Sequence, residues 1–333
     1  MFRSVWFAPV VVVCLVLPAR AQTHGTMPTA PALVQTSATP PTFQTRVDLV
    51  ALTVSVMNTG NQYVRDLGPG DFTVFEDGVA QPVSFFGLSD VPLDLALLVD
   101  ASASMQPQMA MVRQAAAGLL RTLKPGDRAA LIEFRDQIVL GQPMTDDLGR
   151  VASALDSLSA HGGTSLYNAL YVALRDFQKG SAKQSTIRRR AIVVLSDGAD
   201  TGSLISFDDV LDLARRAGVT LYTIGMQSPS PLVRSNARRF FSQTDFGLRT
   251  LAEETGARAF FPTTGTEVKN VYAAIASELA SQYAIGYTSR NSHQDGAWRK
   301  VLVRIASRPG VRSRTRTGYF AGGARVLAAA LRD

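Results

Sequence analysis

The chain contains very little cysteine or histidine. Its 333 residues include one cysteine, Cys14, and three histidines. Cys14 falls in an N-terminal segment that we expect to be removed, so the mature chain can form no disulfide. Thiol catalysis and cysteine-ligated zinc are therefore excluded, and stability must come from burial of a large core.

The first 21 residues have the pattern of a secretory signal peptide. Arg3 precedes an apolar stretch over residues 5–17, and Ala19-Arg20-Ala21 matches a small-x-small cleavage site. We predict cleavage before Gln22 and a secreted, periplasmic or envelope location. The alternative is an uncleaved anchor, but the apolar stretch is shorter than the about 20 residues that a membrane span needs. No stable span is expected after cleavage.

The chain is basic, with a formal net charge of +7. Its arginines cluster at residues 188–190 and again between residues 299 and 316, where Arg312, Arg314 and Arg316 alternate. Such clusters can bind nucleic acid or a membrane surface, or can form the solvated, charged edge of a sheet. We favour the solvated edge, because no nucleic-acid-binding motif accompanies the clusters. A nucleic-acid partner is not expected.

Composition divides the rest of the chain into three parts. Residues 22–45 are rich in Pro, Thr, Ser and Ala without a hydrophobic period, which predicts a disordered linker. Residues 47–88 form β-rich runs with an Asp77-Gly78 hairpin turn. Residues 283–320 also alternate like antiparallel strands, and we expect them to pair with residues 47–88, because a lone hairpin is marginal in water.

Between these flanks, residues 93–282 alternate strands with helices. This order predicts an α/β fold, a doubly wound and mostly parallel sheet, with the antiparallel β domain beside it. A short connection before residues 138–140 predicts an antiparallel edge strand. The predicted strands span residues 93–100, 128–134, 138–140, 191–196, 219–224 and 257–261. The predicted helices span residues 109–123, 147–158, 165–177, 207–217, 248–255 and 268–281.

Five oxygen-bearing side chains fall where they can meet at one edge of this sheet. They are Asp100, Ser102, Ser104, Thr164 and Asp197. The two aspartates end apolar strands, and ligands of open α/β sheets bind beyond the carboxyl ends of the strands. Hard oxygen donors without His or Cys suit Mg²⁺, Mn²⁺ or Ca²⁺. Alternatively, Asp100, Ser102, Thr164 and Asp197 could simply cap the helices that follow them.

With these five residues and this order of strands and helices, the sequence resembles a von Willebrand factor type A domain with a complete metal-ion-dependent adhesion site. The resemblance covers about residues 93–282. The flanks resemble a family of exported bacterial proteins related to this domain. That second likeness rests on four short motifs. They are Asp71-Phe72-x-Val74-Phe75-Glu76-Asp77-Gly78, Ser281-Gln282-Tyr283-Ala284-Ile285-Gly286-Tyr287, Arg299-Lys300-Val301 and Gly318-Tyr319-Phe320.

The resemblance implies a Rossmann-like fold and a role for each site residue. Ser102, Ser104 and Thr164 would ligate the cation directly, with Mg²⁺ the first expectation, whereas Asp100 and Asp197 would act mostly through metal-bound water. An open coordination position would accept an acidic side chain of a partner protein. Neutral hydroxyl ligands leave the +2 charge uncompensated, which agrees with an acidic partner.

The resemblance predicts a non-enzymatic, adhesion-type binding module, and two other functions are alternatives to it. The cation could only stabilise the sheet edge of an envelope scaffold or assembly component. A metal-dependent hydrolase is the weakest alternative, because no motif places a base beside Ser102. Asp136, Asp200 and His161 are interpreted as solvated rim residues.

The segment over residues 227–245 is long for a connection between a strand and a helix. It could help to select the partner through Arg234, Arg238, Arg239, Phe240 and Phe241, or it could be a plain connector.

Overall fold

The computed structural model describes residues 48–88, 90–181, 187–197, 200–226, 243–322 and 326–327. Three predicted segments lie outside the described residues. They are the signal peptide (1–21), the linker (22–45) and residues 227–242 of the long connection that could help to select the partner. The described residues belong to one compact unit.

The strands and helices follow one another in the order that the sequence predicts. The N-terminal strands are β1 (Asp48–Met57), β2 (Phe72–Glu76), β3 (Val79–Gln81) and β4 (Val83–Leu88). Next come β5 (Leu93–Asp100), α1 (Met109–Leu120), β6 (Arg128–Phe134), β7 (Ile138–Thr145), α2 (Leu148–Asp156), α3 (Leu166–Ser181) and β8 (Arg189–Ser196). Then follow α4 (Phe207–Ala217), β9 (Thr220–Gly225), α5 (Gln243–Glu254), β10 (Ala259–Phe260) and α6 (Gly265–Leu279). The last strands are β11 (Tyr283–Thr288), β12 (Trp298–Ile305), β13 (Arg312–Arg314), β14 (Gly318–Phe320) and β15 (Val326–Leu327).

Six strands form the central sheet in the order β10-β9-β8-β5-β6-β7. All neighbours in it are parallel except β6 and β7, which confirms the predicted antiparallel edge strand. Every residue of β5 is buried, because apolar helices cover both faces: α1, α2 and α6 on one side, and α3, α4 and α5 on the other. The predicted doubly wound α/β fold is confirmed.

The remaining strands form two antiparallel sheets around a third apolar cluster. In one sheet β11 lies between β1 and β4, and in the other β12 pairs with β2. Asp77 and Gly78 have φ angles of 48° and 84°, the two positive values that a tight hairpin between β2 and β3 requires. Segments on either side of the α/β region therefore complete one another's sheets.

Several sequence expectations differ from the structure in detail. Residues 81–86 are a β-rich run that predicts one strand, but the run is divided at Pro82, where the chain passes from the sheet of β3 to that of β4. Alternation over residues 315–320 also predicts one strand, but only its last three residues form one, since β13 ends at Arg314 and β14 begins at Gly318. Helix α5 begins at Gln243 rather than at Leu248, so the connection before it is shorter than expected.

The interpretation of the arginine clusters as solvated edges is wrong for several of their members, although Arg312 on β13 is exposed. Arg189 is buried, and its Nε donates to the carbonyl of Val91 at 2.9 Å. Arg314 donates to the fully buried carboxylate of Glu278 on α6. These cations hold elements together, because a buried polar group needs a partner. Among the described residues, no helix is long and apolar enough to cross a membrane.

Candidate metal centre

The carboxyl ends of β5 and β8 lie side by side at one edge of the central sheet. Parallel pairing aligns Val99 with Leu195, so Asp100 and Ser196 end neighbouring strands. Ser196 Oγ donates to Asp100 Oδ2 at 2.6 Å, and both residues are buried. Asp197 follows Ser196 directly and is partly exposed. The two predicted carboxylates therefore start from adjacent strand ends.

Ser102 lies on the turn that follows β5, and Ser104 lies in the short helical segment after it. The backbone N–H of Ser102 donates to Asp100 Oδ1 at 2.9 Å, which fixes the turn against the carboxylate. A short 3-10 helix then runs over Ala103–Gln108, and the side chain of Ser102 makes no capping hydrogen bond to it. Instead, Ser102 Oγ lies 3.0 Å from Ser104 Oγ. Capping is thus the wrong interpretation for Ser102.

The loop that carries Thr164 packs against the Ser102 turn. The N–H of Ala103 donates to the carbonyl of Gly162 at 3.0 Å. Asp136 accepts a hydrogen bond from Gly163 N at 2.9 Å. Gly162 has φ +77°, a conformation that favours glycine, and a Cβ there would displace the Asp136 carboxylate, whose Oδ2 would lie 2.1 Å away. Thr164 itself is buried.

The loop after Asp197 caps the helix after Thr164. The first-turn N–H groups of α3 at Tyr167 and Asn168 donate to Asp200 Oδ2 (3.3 Å) and Ser203 Oγ (3.0 Å). These donors are therefore satisfied from the neighbouring loop, which leaves Thr164 without the capping role considered from sequence. Asp136 and Asp200 thus order the two loops, a role that their interpretation as solvated carboxylates missed.

Backbone hydrogen bonds tie the same two loops together. The N–H groups of Thr201 and Gly202 donate to the carbonyl of Thr164 at 3.0 and 2.9 Å. Thr201 Oγ1 also accepts from Thr164 N at 3.1 Å. His161 is exposed, and its backbone N–H donates to Ala101 O at 2.8 Å. The four segments that carry the five predicted residues are therefore neighbours at one sheet edge.

The electrostatics of this edge are unfavourable for a carboxylate. Burial raises the pKa of Asp100, hydrogen bonds from Ser196 and Ser102 oppose that rise, and the negative charge of Asp197 adds to it. No described Lys, Arg or His forms a salt bridge with Asp100 or Asp197. Two acidic groups thus lie together without a fixed positive charge.

The donor set fits a hard divalent cation. Two ligands at right angles on Mg²⁺, with bonds of about 2.0–2.1 Å, lie about 2.9 Å apart. The 3.0 Å between Ser102 Oγ and Ser104 Oγ matches that separation. Within the described ranges no three Asp, Glu, His or Cys side chains converge on a point, so a site here depends on hydroxyl oxygens as well as on Asp100 and Asp197.

The von Willebrand factor type A domain family matches residues 94–274, more than half of the 333-residue chain. The chain belongs to this family. The matched region contains all five candidate residues and the central sheet except Leu93, the first residue of β5. Domains of this family are generally protein-interaction modules.

Curated relatives share only part of their length with this chain. The Uncharacterized protein sll0103 of Synechocystis sp. is 33% identical over 111 residues, which cover 32% of this chain and 26% of that protein. Matrilin-4 of Mus musculus is 28% identical over 148 residues, which cover 41% of this chain and 23% of Matrilin-4. The chain therefore spans about a quarter of the length of the curated relatives that it matches.

Solved structures that resemble the chain are more distant in sequence. The conserved hypothetical protein BatB from Bacteroides thetaiotaomicron is 20% identical, with 57% of this chain and all of BatB covered at a TM-score of 0.43. A von Willebrand factor type A protein from Catenulispora acidiphila is 12% identical, with 84% of this chain and 73% of that protein covered at a TM-score of 0.46.

Proposed function

We propose that this protein is an exported binding module of the von Willebrand factor A family that engages a partner through a divalent cation. The cation would be held by the hydroxyls of Ser102, Ser104 and Thr164, with Asp100 and Asp197 acting through water. A partner would complete the coordination with an acidic side chain. The observation that carries this proposal is the convergence of two carboxylates with no salt-bridge partner among the described residues.

The charge balance of the site favours an acidic partner. Hydroxyl oxygens neutralise none of the charge on the cation, so it keeps an affinity for a further carboxylate. Hard oxygen donors favour Mg²⁺ over softer metals, with Mn²⁺ and Ca²⁺ as alternatives. A cation would also relieve the repulsion between Asp100 and Asp197.

A binding role suits the geometry better than hydrolysis. Ser102 Oγ lies beside Ser104 Oγ, which is not a base. Ser196 does pair with a carboxylate, but its side chain is buried below the edge and cannot reach a substrate. A nucleophile needs a base within hydrogen-bond reach and access to the substrate. Neither serine meets both conditions.

Selection from a random peptide library displayed on phage tests this function. The protein is immobilised with Mg²⁺, and bound phage are eluted with chelator. We expect the enriched peptides to carry Asp or Glu, and to lose binding when that residue becomes Asn or Gln. The Thr164→Ala variant, which removes one hydroxyl ligand without changing charge, should enrich none of them.

Other outcomes of the selection have distinct meanings. Peptides that bind equally well in chelator would contradict the metal-dependent function. Mg²⁺ that raises the unfolding temperature while no acidic peptide is selected would instead support a cation with a purely stabilising role in an envelope scaffold.

Export remains part of the proposal, and the N-terminal motif of Arg3, the apolar stretch and Ala19-Arg20-Ala21 supports it. Sequencing of the mature N-terminus from the envelope or culture medium should give Gln22. Protein that retains Met1 in the membrane fraction would contradict cleavage and restore the anchor.

A further inference from the structure

Two strongly exposed apolar side chains lie at the same end of the central sheet as the candidate metal centre. Leu204 follows β8 and is 95% exposed, and Phe246 in the first turn of α5 is 64% exposed. A single exposed apolar residue is ordinary on a protein surface. Two of them beside a candidate binding site are a more specific feature, because binding surfaces use apolar anchors.

Leu204 is held outward by the hydrogen bonds of its own loop. Asn168 Oδ1 on α3 accepts from the N–H groups of both Leu204 (3.1 Å) and Ile205 (3.2 Å). The preceding Ser203 is fixed in turn, since its Oγ accepts from Asn168 N. The backbone on both sides of the Leu204 side chain is thus anchored, so its exposure is built into the loop.

One pair of aromatic rings lies beside Gly247, the residue after Phe246. The rings of Tyr167 and Phe207 lie 6.0 Å apart in an edge-to-face arrangement. Gly247 packs closely on them, because a Cβ there would lie 3.3 Å from Phe207 Cε2 and 3.4 Å from Tyr167 Oη. Leu204 is connected to the same region because its N–H donates to Asn168, the residue after Tyr167, and because Phe207 follows it by three residues. We call Leu204, Phe246, Tyr167 and Phe207 the apolar rim.

The apolar rim begins a short distance from the candidate cation ligands. Gly202 N donates to the carbonyl of Thr164 at 2.9 Å, and Leu204 follows Gly202 by two residues. Two residues of chain span at most about 7 Å, so the Leu204 backbone lies within about 10 Å of that carbonyl. One or two residues of an extended peptide, together with the reach of their side chains, can span such a distance.

From this arrangement we infer that the apolar rim binds an apolar side chain placed one or two positions from the partner's acidic residue. The inference rests on the proposed function, because the acidic residue is assigned to the cation. The partner surface is therefore a protein segment in which Asp or Glu stands next to a large aliphatic or aromatic residue. A purely acidic segment would fill the coordination position and leave Leu204 in water.

The peptide selection described above also tests the apolar rim, now with the double variant Leu204→Ser, Phe246→Ser. With Mg²⁺, the unaltered protein should enrich acidic peptides that carry an apolar residue one or two positions away. The double variant should still enrich Asp and Glu but lose the apolar preference. Peptides selected on the unaltered protein should bind the double variant about tenfold more weakly.

A matched control separates the apolar rim from surface hydrophobicity in general. Leu302→Ser alters a 45% exposed leucine on β12, in the antiparallel sheets, and should leave both peptide preference and affinity unchanged. The Mg²⁺ affinity of the double variant, measured without peptide, should equal that of the unaltered protein.

Three results would overturn the inference. The first is an apolar preference that survives in the double variant, and the second is a selection of acidic peptides that shows no apolar preference at all. In both, the metal-dependent function would stand while the apolar rim would not. The third is a selection without acidic peptides, which would remove the proposed function and the rim together.

Discussion

The two ends of β5 each bury an aspartate, but in opposite electrostatic surroundings. At the amino end, Asp94 binds Arg128 and Arg188, each at 2.7 Å. Burial acts to raise the pKa of Asp94, but the hydrogen bonds from Arg128 and Arg188 outweigh it and hold the pKa below its usual value. At the carboxyl end, Asp100 has a raised pKa, no described salt bridge and Asp197 beside it. One strand thus carries a compensated acid and an uncompensated one.

This difference distinguishes a structural carboxylate from a candidate functional one. A carboxylate that only joins elements carries its counter-charge within the protein, as Asp94 does. A carboxylate at a site that binds a cation must lack that counter-charge until the cation arrives. Perturbed pKa values of this kind concentrate at functional sites. Asp100 meets that description and Asp94 does not.

A third buried acid, Glu278 on α6, resembles Asp94 because a cation of the protein balances its charge. It accepts hydrogen bonds from Ser55 Oγ (2.8 Å), Tyr63 Oη (2.8 Å), Tyr222 Oη (2.9 Å) and Arg314. Glu278→Gln should lower the free energy of unfolding by about 4 kcal/mol, because it leaves Arg314 unpaired and replaces an acceptor by a donor. Urea unfolding measures this loss. If the loss of unfolding free energy is no larger than that of an ordinary surface substitution, Glu278 is not a structural carboxylate of the same kind as Asp94.

Asp94→Asn should have a somewhat smaller effect in the same direction. Arg128 and Arg188 would lose their shared carboxylate, at a cost of about 3 kcal/mol. Arg128 is one-third exposed, so water compensates it in part. Chemical unfolding in the presence of chelator is the measurement, and Asp212→Asn, which breaks an exposed pair with Arg216, is the matched control.

Asp100→Asn should change stability in the opposite direction. Without a divalent cation, the substitution removes a buried negative charge beside Asp197, so we expect a stabilisation within about 1 kcal/mol. Unfolding of both proteins in chelator tests this expectation. If Asp100→Asn destabilises the protein as Asp94→Asn does, the contrast between the two ends of β5 is wrong.

The pH dependence of these two substitutions should differ as well. Asp100 has a raised pKa in the folded state, so its contribution to stability is full below its unfolded pKa and is lost as pH rises through the folded pKa. The gain from Asp100→Asn should therefore shrink as pH falls from neutrality. Asp94 has a lowered pKa, so its contribution persists above 3.8 and is lost as pH falls below that value. Unfolding of the variants and the unaltered protein at several pH values, in chelator, measures this. The difference in unfolding free energy caused by each substitution should follow the pH dependence given for it.

Sequence patterns locate the two strand-end aspartates well, because parallel strands bring their carboxyl ends to one edge. The bounds of β5, β6 and α4 follow from apolar runs and helix-stop residues. The hydrogen bonds that Asp200 and Asn168 make between loops cannot be predicted from sequence patterns. Their partners lie more than 30 positions away, and the bonds depend on the conformation of the loops. Ser196 could have been found, since it ends a strand that the sequence predicts and directly precedes Asp197.

The pairing of Arg314 with Glu278 cannot be predicted from the sequence for a different reason. Alternating arginines on a strand suggest a solvated face when only their own element is considered. Here β13 pairs with β1, which places Arg314 opposite Ser55 and within reach of α6. The contact depends on sheet register across segments that are far apart in the chain, and local periodicity carries no information about that register.

Isothermal titration of Mg²⁺ into chelator-treated protein tests the central claim most directly. The unaltered protein should bind the cation at one saturable site. Thr164→Ala should lose that binding while it keeps its folded circular dichroism spectrum, and Thr250→Ala on α5 should bind like the unaltered protein. Unchanged Mg²⁺ affinity in Thr164→Ala, or no binding of Mg²⁺, Mn²⁺ or Ca²⁺ by the unaltered protein, would contradict a metal centre at this edge of the sheet.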